Sequence, residues 1–135
     1  MIASLTCLAM AVYFEARSES LEGQLAVANT IINRVQSDKF PSTSCEVTKQ
    51  ARYIGDHPIR NQCHFSYWCD GKPETINDQD AYSVALSIAM FASIRLFDVT
   101  DGAVFYHRDD VQPYWSAGLD VTRKIGRHIF YNNGD

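Results

Sequence analysis

The chain has 135 residues and a mass of 15.2 kDa, with 46% hydrophobic and 21% charged residues, so we expect a single domain over residues 1–135. This length can bury a core without metals or disulfides, and the composition excludes disordered, collagen-like and coiled-coil chains. Sixteen acidic and twelve basic residues give a net charge of −4, which argues against a nucleic-acid partner.

An apolar segment opens the chain and predicts the first helix. Its apolar residues recur three or four positions apart from Leu5 through Val12 to Ala16, the spacing of one helix face. The segment contains Ala-Met-Ala, as a cleaved leader does, but no basic residue precedes it and it is too short to span a bilayer. We therefore expect a core helix, with neither a signal peptide nor a membrane-inserted segment in this chain.

A second helix is predicted to begin at Leu21, because Ser20 is a suitable N-cap and the apolar residues continue as one stripe to Val35. It should end before Pro41. Three polar residues stand on this otherwise apolar helix, and we expect them to bond neighbouring loops rather than substrate: Asn29, Asn33 and Arg34.

The middle of the chain is predicted to be mostly irregular. Proline and glycine punctuate residues 40–77, within which only a short helix over 45–51 is expected. Asn77 or Asp78 then caps a third long helix over residues 80–94. The small alanines on the packing face of that helix indicate a close approach to another helix.

Strand patterns dominate the last third of the chain. Residues 103–107 form a β-type run, while 119–124 and 127–131 flank a predicted hairpin turn at 125–126. Helices first and a small antiparallel sheet last predict a mainly helical α+β domain.

The four cysteines leave the redox state of the protein open. Cys7 lies on the apolar first helix, where we expect a buried thiol. Cys63 and Cys69 could close a small loop by a disulfide in an oxidising compartment, and free thiols are the equal alternative. Their spacing is not that of a zinc knuckle.

Glu15 is the strongest candidate for chemistry, because it ends the apolar first helix directly after Tyr13 and Phe14. A carboxyl group desolvated among aromatic rings keeps its proton near neutral pH, as the general acid of a glycosidase must. The alternative is a solvated helix-end acid paired with Arg17. Four other acids are weaker candidates for a second carboxylate, and no spacing pairs them with the first: Glu19, Glu22, Asp70 and Glu74.

The segment 61–69 combines aromatic side chains with amide and hydroxyl groups, which is unusual for a loop. Sugar rings have apolar faces and hydroxyl edges, and both kinds of side chain suit them. The alternative is a hydrophobic plug that anchors the loop. The candidates for sugar contact in this segment are Gln62, Phe65, Ser66 and Tyr67.

His107 and His128 each fall in a predicted strand and, with a glutamate, could in principle bind zinc. The sequence contains no His-Glu-x-x-His motif and offers no obvious third ligand. We therefore expect structural or substrate-contacting histidines, with no metal and no cofactor.

Seven stretches together resemble the SleB/CwlJ family of bacterial cell-wall hydrolases. In chain order they are Tyr13-Phe-Glu-Ala-Arg17, Glu22-Gly-Gln-Leu-Ala-Val-Ala28, Ile32-Asn-Arg-Val35, Cys45-Glu-Val47, Cys63-His-Phe-Ser-Tyr-Trp-Cys-Asp70, Ala103-Val-Phe-Tyr-His107 and Ile125-Gly-Arg-His-Ile-Phe-Tyr131. One such motif would be weak evidence, but seven in family order cover nearly the whole chain.

The resemblance implies a lysozyme-like domain that cuts the glycan strands of peptidoglycan, with Glu15 of the Glu-Ala-Arg motif as the general acid/base. Ser18 stands where the family often has glycine, which is a local difference in the turn. Family members are spore-cortex lytic enzymes, and similar domains occur in phages as endolysins. We expect a monomer that acts on the cell wall, with a glycan groove lined by Gln62, Phe65, Ser66, Tyr67, Tyr106 and His107.

A single candidate acid favours a lytic transglycosylase, which needs only one carboxyl group, over hydrolysis by a pair of carboxylates. Two alternatives remain at this point. One is an N-acetylmuramoyl-L-alanine amidase that uses His107 and His128, and the other is a glycan-binding module without catalytic activity.

Overall fold

The structure, a computed structural model, describes residues 2–132, which form four α-helices. The three long ones are α1 (Ile2–Ala16), α2 (Leu21–Gln36) and α4 (Gln79–Ser93), and they pack against one another around the main apolar core. The short α3 (Ser44–Thr48) packs on α1 and α2. None of the helices in the described part of the chain is long and apolar enough to cross a membrane.

Side-chain caps fix where the helices begin, as the sequence predicts. The Ser20 hydroxyl accepts a hydrogen bond from the backbone N–H of Gly23 at 3.1 Å, and α2 starts at the next residue. Asp78, rather than Asn77, caps α4 by accepting from the N–H of Ala81 at 3.0 Å. The three predicted long helices are thereby confirmed.

Close packing of α1 and α4 depends on small residues, as predicted. Ala85, Ala89 and Ala92 of α4 are at most 1% exposed, and Leu8 and Val12 of α1 are buried in the same core. The apolar stripe of α2 meets the core from Leu25 onward and not at its first position. There, Leu21 is 64% exposed.

An antiparallel hairpin occupies part of the segment predicted to be irregular. Strands β1 (Ala51–Ile54) and β2 (His57–Cys63) pair across a tight turn in which Gly55 has a φ of +61°. Both strands are mostly exposed, so they lack the apolar alternation that marks a half-buried strand. A short 3₁₀ helix over Ser66–Cys69 follows the hairpin.

A three-stranded antiparallel sheet closes the fold and confirms the predicted α+β class. It contains β3 (Phe105–Arg108), β4 (Asp120–Ile125) and β5 (His128–Asn132), with β5 in the centre. The predicted hairpin joins β4 to β5, but its turn is formed by Gly126 and Arg127, one residue later than expected. Gly126 has a φ of +58°, which glycine adopts without strain.

Two disulfides are present in the structure. Cys7 bonds Cys45 and so links α1 to α3, which makes the expectation of a buried free thiol at Cys7 wrong. The apolar pattern of the first helix could not show that a second cysteine, 38 positions along the chain, packs against it. Cys63 and Cys69 form the disulfide that the sequence left open, and it closes the loop after β2.

Candidate active site

Glu15 lies one residue before the end of α1, where the helical body meets the three-stranded sheet. Its side chain borders a cavity of about 320 Å³. Helices α1 and α2, strands β3 and β5, and the loop after β2 all contribute to the wall. The lining residues are Phe14, Glu15, Arg34, His64, Phe65, Ser66, Tyr106, His107, Arg108 and His128.

Aromatic packing fixes the end of α1. Tyr13 is fully buried, its hydroxyl accepts from the N–H of Asp78 at 3.1 Å, and its ring meets Phe14 edge-on. Phe14 in turn stacks on Tyr67, with ring centroids 4.9 Å apart. Arg17 donates to the Tyr13 hydroxyl, so the guanidinium that could have neutralised a solvated Glu15 is engaged elsewhere.

The Glu15 side chain is half-buried, with protein groups around part of it and the rest bordering the cavity. The hydroxyl group of Tyr106 on β3 donates a hydrogen bond to Oε1 of Glu15. Burial raises the pKa of Glu15, and the opposing effects of the Tyr106 hydrogen bond and the positive charge of Arg34 are smaller. The protonated form is therefore favoured to a higher pH than in an ordinary glutamic acid.

Arg34 is a buried cation whose positive charge acts on Glu15. Its Nε donates to the carbonyl oxygen of Val104 at 2.6 Å, and its Nη1 lies 3.3 Å from Nδ1 of His64. Burial lowers the pKa of Arg34 to about 10, so it is still charged at neutral pH. The guanidinium also lies over three aromatic rings, with centroid distances of 4.8 to 5.4 Å: Phe40, Phe65 and Phe105.

The three polar residues on α2 bond neighbouring loops, as the sequence predicts. Asn29 and Asn33 bond the loop after α4, as expected, and Asn33 also donates to the carbonyl of Ala103. Arg34 bonds backbone too, but it also lines the Glu15 cavity. Arg34 thus bonds a neighbouring loop, as expected, and also borders the candidate site.

The structure brings four of the six predicted groove residues to the cavity. Phe65, Ser66, Tyr106 and His107 line it. Gln62 is instead exposed on β2 and does not border the cavity, because the unpredicted hairpin carries it away.

Tyr67 does not line the cavity but packs behind a residue that does. Its buried ring stacks on Phe14, which does line the cavity. Burial and the nearby charge of Glu15 hold the pKa of Tyr67 well above its usual value, so the hydroxyl stays neutral. Tyr67 therefore shapes the site through packing.

His107 has both ring nitrogens occupied by protein groups. Nε2 lies 2.7 Å from the hydroxyl of Tyr131, and Nδ1 lies 2.7 Å from the carbonyl oxygen of Arg108. Within residues 2–132, no group of three His, Cys, Asp or Glu side chains is arranged to hold a metal ion.

Four further lining residues were not proposed for the cavity from the sequence: Phe14, His64, Arg108 and His128. A signal existed for His128, because the predicted 103–107 and 127–131 runs pair in the sheet. In that register Arg108 faces His128, and the rings of Tyr106 and His128 are 5.0 Å apart. Burial lowers the pKa of both His64 and His128, which favours their neutral forms.

A larger cavity of about 650 Å³ lies beside the opposite end of α1, near Leu5. Hydroxyl and apolar side chains line it, together with Arg95, and its described lining contains no carboxyl group. The smaller cavity combines an acid, a buried cation and aromatic faces, so we assign the candidate active site there.

Replacing Tyr106 with Phe should raise the pKa of Glu15 further. The Tyr106 hydroxyl stabilises the ionised carboxylate by donating to it, so its removal favours the protonated form. An NMR titration of ¹³C-labelled glutamate measures the change. Tyr53→Phe, at an exposed position on β1, is the control, and an equal Glu15 titration in Tyr106→Phe and the wild type contradicts the prediction.

Comparisons with known proteins identify the family of this chain. The profile of the Cell Wall Hydrolase family matches residues 18–131. The spore cortex-lytic enzyme of Bacillus subtilis (strain 168) is 32% identical over 124 residues, covering 91% of this chain and 35% of that protein. The spore cortex-lytic enzyme of Halalkalibacterium halodurans is 31% identical over 126 residues, covering 93% of this chain and 33% of that protein. The chain thus spans about a third of the length of these relatives.

Solved structures share the whole fold. The catalytic domain of the Bacillus cereus SleB protein superposes with a TM-score of 0.72 at 29% identity, covering 98% of this chain and 91% of that one. The catalytic domain of the germination-specific lytic transglycosylase SleB from Bacillus anthracis gives a TM-score of 0.69 at 30% identity, covering 96% and 93%. On the family match over residues 18–131, with the shared fold and relatives, the chain belongs to the cell wall hydrolase family.

Proposed function

We propose that the protein is a lytic transglycosylase that cleaves the glycan strands of peptidoglycan, with Glu15 as its single acid and base. The observation that carries this proposal is the half-buried Glu15 carboxyl group, which borders the cavity and whose pKa is raised by burial. The family match covers residues 18–131 and therefore does not include Glu15. The role that we propose for Glu15 is supported by the geometry of the cavity. The related Bacillus anthracis domain is described as a lytic transglycosylase.

The reaction would use the same carboxyl group twice. Glu15 first gives its proton to the glycosidic oxygen as the bond from that oxygen to C1 of the muramoyl sugar breaks. The 6-hydroxyl oxygen of the same sugar then attacks C1 and gives its proton back to Glu15. A 1,6-anhydro sugar and a new sugar hydroxyl are formed, and no water is consumed.

Neighbouring side chains support both steps. Tyr106 holds Oε1 of Glu15, which leaves Oε2 for the proton transfer. Arg34 provides a buried positive charge that stabilises the carboxylate present between the two steps. These groups are fixed before substrate arrives, so little reorganisation is needed during the reaction.

The arrangement of acids favours this mechanism over paired-carboxylate hydrolysis. Among the described residues that line the 320 Å³ cavity, Glu15 is the one carboxylic acid. Glu19 lies in an adjoining pocket, where its Oε1 accepts from the backbone N–H of Arg127 at 3.0 Å.

The same geometry disfavours the amidase alternative. His107 already bonds Tyr131 and the Arg108 carbonyl, so its nitrogens are occupied. The half-buried ring of Phe14 suits contact with a sugar ring, and with a net charge of −4 we expect glycan binding to depend on apolar contact and hydrogen bonds.

Mass spectrometry of digested peptidoglycan tests the proposal. Products that end in 1,6-anhydro-muramic acid are expected. Reducing ends that have gained water would instead indicate a hydrolytic muramidase, and freed peptides would indicate an amidase. Binding to the wall without any product would indicate a glycan-binding module. Comparing cortex with vegetative peptidoglycan tests whether the cortex specificity named for the relatives extends to this chain.

A further inference from the structure

The disulfide between Cys63 and Cys69 encloses part of the wall of the candidate active site. Phe65 and Ser66, which lie between the two cysteines, line the active-site cavity. Tyr67 lies between them as well, and its ring stacks on a further lining residue. We call this segment, together with its two cysteines, the disulfide loop.

The chain on either side of the disulfide loop gives it little support. Strand β2 precedes the loop, and both β2 and its partner β1 are mostly exposed. Residues 70–78 follow the loop, contain no helix or strand and are mostly exposed as well. The disulfide therefore ties together two ends that the flanking chain does not hold firmly.

Non-covalent contacts hold the middle of the disulfide loop against the site. Phe65 is 1% exposed and lies under the Arg34 guanidinium. The backbone N–H of Trp68 donates to the carbonyl oxygen of Phe65 at 3.1 Å, and that of His64 donates to the carbonyl oxygen of Gln50 at 2.9 Å. Joining the two ends of the loop limits the conformations from which these contacts form. Opening the bond should therefore lower the population in which they are made.

We propose that the Cys63–Cys69 disulfide is a redox switch that sets the activity of the enzyme, an inference that rests on the proposed function. In the oxidised state the disulfide loop completes the cavity wall beside Glu15. In the reduced state the loop detaches for part of the time, and the side chains that line the cavity are no longer held in place. The protein would thus be weakly active in a reducing cytosol and fully active in an oxidising compartment such as the periplasm or the cell surface.

The switching step is a thiol–disulfide exchange with a dithiol. One thiolate of the dithiol attacks Sγ of Cys63, which is half-buried and more accessible than Cys69 at 6% exposure. The bond between the two cysteine sulfurs breaks, and a mixed disulfide forms. The second thiol of the dithiol then displaces the Cys63 sulfur and closes a disulfide within the reductant. Two electrons and two protons thereby pass from the dithiol to the two cysteines.

Two double variants, each lacking one disulfide, test the switch. Cys7→Ser/Cys45→Ser removes the disulfide between α1 and α3, neither cysteine of which lines the cavity. Its rate of wall lysis should fall by about 10-fold in dithiothreitol and recover in oxidised glutathione. Cys63→Ser/Cys69→Ser should show the low rate under both conditions. Equal rates of the first variant in both states, or a full oxidised rate of the second, would overturn the inference.

Graded reduction of the wild type keeps the test decisive where a variant fails to fold. Alkylation of the free thiols and peptide mass spectrometry report the open fraction of each disulfide. The lysis rate should fall as Cys63–Cys69 opens, while the thermal melt stays cooperative. A rate that follows the opening of Cys7–Cys45 instead, or that falls only with global unfolding, would overturn the inference.

Hydrogen exchange of the disulfide loop gives a readout that needs no activity. The loop amides should exchange faster once Cys63–Cys69 is reduced, and unchanged exchange would overturn the inference. An oxidised wild type that lyses no wall, but whose loop exchange still responds to reduction, would refute the proposed function alone.

Discussion

Replacing Glu15 with Gln should lower the rate of glycan cleavage by about a thousandfold while preserving the fold. The amide cannot donate a proton to the glycosidic oxygen or accept one from the 6-hydroxyl, so both steps lose their catalyst. The release of anhydro-muramoyl products from purified peptidoglycan measures the loss. Glu22→Gln, at an exposed position in the first turn of α2, is the matched control and should retain full activity.

The same variant should change how stability depends on pH. Because the folded-state pKa of Glu15 is raised, the folded protein keeps a proton that the unfolded chain has already lost. Stability therefore falls as pH rises from the ordinary carboxyl pKa through the raised one. Glu15→Gln should lack this fall and be at least as stable as the wild type at neutral pH, as urea denaturation between pH 4 and 8 would show.

Two results would remove Glu15 from the mechanism. One is full-rate lysis by the Gln variant. The other is activity that stays constant as pH rises through the Glu15 titration seen by NMR, because the free enzyme should lose its general acid over that range. Loss of activity together with a collapsed melting transition would show a folding defect, which the Glu22→Gln control and the urea data identify.

Helices could be predicted from the sequence because local signals agree with tertiary packing. The three-and-four apolar spacing of α1 and the Ser20 and Asp78 caps each act within one or two turns. The β1–β2 hairpin could not be predicted this way. Its strands are largely exposed and paired mainly with each other, so no period-two apolar pattern records them.

The candidate site was only partly visible for a related reason. Glu15 could be predicted, because its burial follows from a strongly apolar helix. Arg34 and His128 reach the cavity through contacts with residues more than twenty positions away, such as Val104 and Tyr106. A buried arginine on an apolar stripe looks the same in sequence whether it serves a loop or a site. Gln62 was predicted to line the groove from the composition of its segment, and composition does not show which way a side chain points.

Replacing Arg34 with Met should lower both activity and stability. The carbonyl of Val104 loses its donor and the stacked aromatic rings lose their cation, which together should cost about 2 to 4 kcal/mol of unfolding free energy. Activity should fall by about 10- to 100-fold, because no positive charge then stabilises the carboxylate formed after proton transfer. Urea denaturation and product release measure the two effects on the same sample.

The pH profile of the Met variant separates the electrostatic role of Arg34 from its packing role. Arg34 lowers the pKa of Glu15, so its removal should raise that pKa and move the basic limb of the activity profile to higher pH. Arg34→Lys keeps the charge but loses the forked hydrogen bonding, so it should lose stability while its basic limb stays near that of the wild type. If the basic limb of the activity profile of the Met variant lies at the same pH as in the wild type, the role of Arg34 is limited to holding the loop at Val104. If both variants move the limb equally, the geometry of the guanidinium matters more to Glu15 than its charge.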